Sequence, residues 1–495
     1  MKLLGIDLGS SSVKVAVVDS TTGASLGHSQ YPETEMTIDA PQPGWAEQDP
    51  NAWWEGLKAA LQRLKAQVAI DDIAAIGIAY QMHGLVAVDE RQQVVRPSII
   101  WCDSRAVSFG EQAFETIGQE RALDSLLNSP GNFTASKLAW VKAHEPALFR
   151  SIRHIMLPGD FLAMKLSGEV NTTATGLSEG IFWNFQDRKL SREVLQAFNF
   201  EANLIPELVP TMGQQSVVST AIATEIGLPA GIPITYRAGD QPNNALSLNV
   251  FEPGEVATTA GTSAVIYAVD DQNRYDPSQR VNTFLHVNDQ AEAPRNGVLL
   301  CVNGSGILYS WLRKVLSSGD RLLDYHEMNR EAAKVPIGSD GLHFFPFGNG
   351  AERILGNVNL FAHLHPLDLN RHERAHIISA AQEGIVFAMN YGLEVFGEMG
   401  LSVNVMKAGS ANLFLSEHFR QTFVNTTGVP LQLMETDGAE GAARAAGVGA
   451  GHWTREEAFG SIRVIDEIVP ESKNREASLA AYASWKKNLE KLIKH

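Results

Sequence analysis

Only two cysteines, Cys102 and Cys301, occur in 495 residues, and neither belongs to a Cys-x-x-Cys pair. That spacing offers no zinc cage and no disulfide framework, and a reducing cytoplasm is the expected location. Basic residues are also in deficit, with 40 Lys and Arg against 56 Asp and Glu and a net charge of −16. A nucleic-acid partner would demand a basic face, so none is expected. The run Lys486, Lys487, Lys491, Lys494 reads as the solvated face of a last helix. No apolar stretch approaches the roughly 18 residues of a membrane span. The opening Met1-Lys2-Leu3-Leu4 is cut short by Asp7, so a signal segment is not expected either. Missing too is any Gly-x-x-x-x-Gly-Lys-Ser/Thr loop. A bound nucleotide must therefore be held by some other device.

Such a device is present twice. Gly5-Ile6-Asp7-Leu8-Gly9-Ser10-Ser11-Ser12 and Thr259-Ala260-Gly261-Thr262-Ser263-Ala264 each follow one apolar stretch and lead into another. Each predicts two strands joined by a tight glycine turn edged with hydroxyls. Glycine lets the backbone approach an anion, and N–H groups with Ser/Thr hydroxyls can cradle phosphate oxygens. Either turn alone reads first as an ordinary hairpin. Their duplication, one per half, points to a nucleotide between two related domains. Asp7 ends the first strand, where a carboxylate can hold magnesium directly or through its waters.

The length calls for at least two domains. The pattern predicts strands over 2–8, 12–19 and 24–31, a helix over 50–67, and buried strands over 73–79 and 234–238. Residues 106–230 read as mostly helical. A second set follows, with strands from 256, over 291–302 and over 403–407, and helices over 375–399 and 437–449. Strands alternating with helices after an antiparallel opening give an α/β fold with mixed sheets. The boundary is placed near 250, dividing 1–250 from 251–495, with a cleft between two packed domains.

Asp240 follows a buried strand and precedes Pro242, so it reads as a helix cap, as a catalytic base, or as both. Gln81-Met82-His83-Gly84 closes another buried strand with groups suited to a neutral polyol: an amide, a thioether and an imidazole. In Trp101-Cys102-Asp103-Ser104-Arg105, the Asp and Arg could equally form a structural ion pair. Ala408-Gly409-Ser410-Ala411-Asn412 ends a strand with a small turn on which a base or ribose can lie. His372-Glu373-Arg374-Ala375-His376 is formally the zinc-protease HExxH, but polar flanks and no clear third ligand argue against zinc.

Taken in order, these segments resemble the FGGY carbohydrate kinases, of the actin/hexokinase/Hsp70-like ATPase fold. Trp45-Ala46-Glu47-Gln48-Asp49-Pro50, Phe345-Pro346-Phe347 with Glu352-Arg353, and the helix from His372 to Gly384 extend the resemblance over the chain. It implies two ribonuclease H-like domains, ATP and Mg²⁺, and a small sugar as substrate. By position Asp240 would be the general base, and Asp7 would support magnesium. Gln81, Met82, His83, Trp101, Asp103 and Gln241 would face the sugar. Gly9, Ser10, Ser11 and Lys14, with Gly261 and Thr262, would hold phosphates. Gly409, Ser410 and Asn412 would lie near the adenosine. Within the family the Gln81–Gly84 turn resembles the xylulokinase branch, which implies D-xylulose. Gln241 is more like the glycerol kinases, which keeps glycerol or ribulose open. A nucleotide-dependent sugar sensor is a further alternative, and a homodimer is left open.

Overall fold

Lys2–Leu8 and Val13–Asp19 pair antiparallel across the first glycine turn, with Leu8 opposite Val13. Ile73–Tyr80 adds in parallel to the other side of Lys2–Leu8, which explains why both strands read as nearly continuous apolar runs. Pro233–Gly239 continues the sheet in parallel, while Ser25–Tyr31 and Met212–Val217 close its two edges antiparallel. The helix Pro50–Lys65 starts on an Asp49 cap, with Pro50 in its first turn, and buries Trp53, Leu57, Ala60, Leu61 and Leu64. These are the residues that the helical spacing selects.

The structure, a computed structural model, describes residues 1–318 and 321–494. It folds as two units. The first comprises Met1–Asn249, Phe284–Asn296 and Thr436–Ile462, and the second holds the other described residues. A single division near 250 thus accounts only for the long first segment. The helix Gly438–Gly449, expected with the second half, instead lies on the sheet of the first unit.

Its small side chains explain how it packs there. Gly5 and Gly77 face each other in register on adjacent parallel strands. A Cβ on Gly5 would stand 1.8 Å from the Ala439 carbonyl oxygen, and one on Gly77 would stand 2.0 Å from that of Ala442. Only bare backbone admits the helix at this depth.

The second unit repeats the strand plan. Glu255–Ala260 and Ala264–Asp270 form an antiparallel hairpin, with Ala260 opposite Ala264 across the second glycine turn. Val405–Gly409 adds in parallel to Glu255–Ala260, Leu431–Met434 adds in parallel beyond it, and Val464–Ile468 closes that edge antiparallel. Asn296–Val302 flanks the hairpin on its other side. Asn282–Leu285 adds a seventh strand outside Asn296–Val302; the other six follow the strand order of the first sheet, apart from the outermost strands' place in the chain. This duplicated core is the actin/hexokinase-like ATPase fold. The long helix Arg374–Glu398 and the last helix Ser472–Ile493 line the core of the second unit, where Trp485 donates to the Phe344 carbonyl at 2.9 Å. Among the described residues, no helix is long and apolar enough to cross a membrane.

The HExxH segment does not form a helical metal pair. Glu373 is the cap residue of Arg374–Glu398, its N–H donating to His376 Nδ1 at 3.1 Å, and His372 precedes the helix. Among the described residues, no group of three His, Cys, Asp or Glu side chains is placed to hold a metal.

Candidate active site

Three parallel strands of the first unit end in one row. Leu8 pairs with Tyr80 and Tyr80 pairs with Gly239, so the residues that follow, Gly9, Gln81 and Asp240, emerge side by side. The Gln81 N–H donates to the Leu8 carbonyl at 2.7 Å and locks the row. Ligand sites of α/β sheets lie at this carboxyl edge.

Asp240 is the first residue of the helix Asp240–Ser247. Gly239 holds the cap position, and no side chain caps the helix. The Asp240 carboxyl therefore does not serve as the helix cap. Burial first, and the neighbouring Asp7 carboxylate second, push its pKa up to about 7, against the pull of the Gln241 N–H. Asp7 is raised as well. Burial dominates there, Lys14 opposes it from the facing position on the next strand, and Asp437 reinforces it.

Asp437 arrives from the far end of the chain as cap of the helix Gly438–Gly449, accepting from the Glu440 N–H at 2.9 Å. The fit is close: a Cβ on Gly438 would stand 2.7 Å from Asp7 Oδ2. Asn243 Nδ2 donates to the Gly438 carbonyl at 2.9 Å, tying the helix that begins at Asp240 to the one capped by Asp437. The sequence carries no signal for this juxtaposition of Asp7 and Asp437, some 430 positions apart.

A second connection was also unmarked. Gln48 Nε2 donates to the Ser10 carbonyl at 2.7 Å, and its Oε1 accepts from Gln81 Nε2 at 3.0 Å and from Trp53 Nε1 at 3.1 Å. One buried amide thus joins the first glycine turn to the turn at Gln81. Gln81 Oε1 is buried without a hydrogen-bond donor among the described residues. Met82 is buried beside Gly239, where a Cβ would meet Met82 Cγ at 2.5 Å.

Not every expected residue joins this group. Asp103 is fully buried and engaged, accepting from the Ala46 N–H at 2.6 Å and from Arg105 Nη2 at 2.6 Å. Arg105 also donates to Glu47 at 2.6 Å and lies 3.7 Å over the Trp45 ring. The structural ion pair is what the geometry supports for Asp103. Trp101 is half exposed.

In the second unit a cavity of ≈ 570 Å³ is lined by Gly261, Thr262, Tyr309, Tyr325, Asn329 and Asn412, among others. Gly306 donates to the Gly261 carbonyl at 2.9 Å, and a Cβ on Gly306 would stand 2.2 Å from that oxygen, so the helix Gly306–Val315 starts against the turn. The buried Glu352 carboxylate accepts from the Asn303 N–H and steadies the approach to that helix. The Tyr309 and Tyr325 rings stack at 5.7 Å, and Gln382 donates to both the Tyr309 hydroxyl and Asn329 Oδ1. Gly409 ends its strand with nothing within 4 Å of where a Cβ would stand, and the exposed Ser410 follows.

Comparison with known proteins agrees with this architecture. The N-terminal domain of the FGGY family of carbohydrate kinases matches residues 2–247. A xylulose kinase of Escherichia coli (strain K12) is 28% identical over 459 residues, covering 90% of this chain and 90% of its own. The crystal structure of a xylulose kinase from Rhodospirillum rubrum superposes with a TM-score of 0.88 over 100% of both chains, at 24% identity. That of Plasmodium falciparum glycerol kinase with ADP superposes with a TM-score of 0.87 at 19% identity, over 99% of this chain and 98% of its own. Likeness at these structural identities concerns the fold, and the two neighbours act on different polyols.

Proposed function

Because the chain belongs to the FGGY family of carbohydrate kinases, we propose that this ATP-dependent sugar kinase phosphorylates the terminal hydroxyl of D-xylulose, giving D-xylulose 5-phosphate and ADP. The observation that carries this reading is the row at the carboxyl edge of the first sheet. It sets a carboxyl group with a pKa of about 7 beside a buried amide and thioether turn. Asp240 accepts the proton of the terminal hydroxyl while that oxygen forms the new bond to the γ-phosphorus. The bond from that phosphorus to the β–γ bridging oxygen breaks, and the electron pair leaves with ADP. Gln81 Oε1 accepts from a sugar hydroxyl, Met82 packs on carbon, and His83 and Gln241 complete the sugar-facing set. In the first unit Gly9, Ser10, Ser11 and Lys14 form a phosphate-binding turn, and in the second unit Gly261 and Thr262 form another. The cavity beside Asn412, with Gly409 and Ser410 near it, takes the adenosine.

Magnesium accompanies ATP in this reading. Asp7 is the carboxylate that would hold it, through water, since no direct three-ligand group exists among the described residues. When bound, it would neutralise phosphate charge.

The test is ADP release with MgATP against D-xylulose, L-xylulose, D-ribulose, L-ribulose and glycerol. A clear preference for D-xylulose is expected. Preference for glycerol would keep the kinase and move specificity onto Gln241. ATP binding with sugar-triggered closure and no product would favour the sensor.

Gln48 gives a second expectation. Because it joins Ser10 to Gln81, Gln48→Ala should raise KM for sugar and for ATP together, each by roughly tenfold, the worth of one buried hydrogen bond. Initial-rate kinetics with each substrate varied will show it. A change confined to one substrate would refute the bridging role.

A further inference from the structure

His83 occupies the left-handed region at φ 62°, where a residue with a Cβ is seldom found and strain is retained only when its surroundings impose it. The surroundings here are specific. Lys137, fully buried one turn into the helix Thr134–His144, donates from Nζ to the His83 carbonyl at 2.8 Å. On the ring side, Nδ1 lies 2.9 Å from the Glu179 carbonyl oxygen. Phe133 and Phe284 pack against the ring at centroid distances of 4.7 and 5.3 Å. A carbonyl can only accept, so Nδ1 carries the hydrogen of this bond.

We propose that Lys137 is a positioning residue which, together with the Glu179 carbonyl, clamps His83 in this conformation so that the Met82–His83 turn is preformed for the sugar. The inference rests on the kinase reading and deepens it. An unclamped turn would relax His83 out of the left-handed region and change the direction of its ring. Sugar binding would then have to re-form the turn, so the effect falls on affinity rather than on phosphoryl transfer.

The clamp also responds to pH. Asp103, Cys102, Arg105 and Glu179 are the charged and titratable groups facing Lys137, and burial outweighs the help of the acidic ones, bringing the ammonium down to about 7. Below that pH the lysine is a cationic donor to the His83 carbonyl. Above it the neutral amine is a weaker donor. KM for the sugar should therefore rise as pH increases through 7, while KM for ATP does not follow.

The experiment measures KM for sugar and for ATP between pH 6 and 9 in the full-length wild type, Lys137→Met and Lys137→Arg. Lys137→Met should raise sugar KM about ten- to a hundredfold, the loss expected for a hydrogen bond to a charged group. Its kcat should fall far less, and its sugar KM should no longer vary around pH 7. Lys137→Arg keeps a fixed charge and should restore part of the affinity with a flat pH profile. Sugar KM unchanged in Lys137→Met, or raised equally with ATP KM, would overturn the clamp. If neither variant folds, the wild-type profile decides, since a sugar KM flat across pH 7 refutes it. Absence of phosphorylation by the wild type across the sugar panel would instead overturn the kinase reading, and the clamp's purpose with it.

Discussion

Asp240→Asn is expected to lower kcat by roughly 10²–10⁴-fold, the contribution of a positioned general base. The amide keeps the shape of the carboxyl and removes its capacity to take a proton. Sugar KM should change only a few-fold. The wild-type pH profile supplies an independent reading. The Asp240 carboxyl, held up at about 7 by burial and by Asp7, is protonated and inactive below that pH. Turnover should thus rise about tenfold per pH unit on the acid side and level off above 7, and Asp240→Asn should lose that limb.

Stability gives the opposite sign. The folded-state pKa lies above the ordinary carboxyl value, so the folded protein binds this proton more tightly than the unfolded chain. This contribution to stability is full at low pH and declines as pH rises through the interval up to about 7. Asp240→Asn removes the buried negative charge beside Asp7, so above pH 7 the variant should melt at or above the wild-type temperature. A variant that is both inactive and less stable would point to a structural role. Near-normal turnover would refute the assignment outright.

How far the site was readable from sequence depends on what kind of signal each part carries. Strands such as Ile73–Tyr80 and the two glycine hairpins are encoded locally, by apolar runs that stop at turn residues, and they fold where that code places them. Asp240 was readable as a strand-end carboxylate but not as cap or base. The choice between them turns on backbone geometry, which gives the cap to Gly239. The HExxH pattern failed because helical phase decides its meaning, and the helix begins only after Glu373. Lys137 carries no local signal, and Gln48 stands out only within the Trp45–Pro50 motif, since a single Lys or Gln has no periodic signature. Their burial and partners follow from tertiary packing alone. Asp437 is the extreme case: its helix is visibly small-sided, yet nothing local says which sheet that side will meet.

That packing is itself open to test. Adding a methyl group at Gly5 or Gly77 places a carbon about 2 Å from a helix carbonyl oxygen, well inside contact distance. A side chain could rotate away, but a backbone oxygen cannot, so the whole helix Gly438–Gly449 must lift from the sheet. Overpacking of this kind costs typically 1–3 kcal/mol, occasionally more. In a unit of this size that corresponds to a melting temperature lower by roughly 2–5 °C. Gly397→Ala is the matched control, because nothing lies within 4 Å of the added Cβ and the residue sits in the helix Arg374–Glu398. There the same methyl group should be neutral or stabilising by up to about 1 kcal/mol. The consequence extends to chemistry because the displaced helix starts at Asp437 and Gly438, against Asp7. Gly5→Ala and Gly77→Ala should therefore lower activity in the fraction that remains folded, whereas Gly397→Ala should not. Equal melting temperatures for all three variants would mean that the sheet and helix can separate freely. The depth of their contact would then not be what brings Asp437 to Asp7.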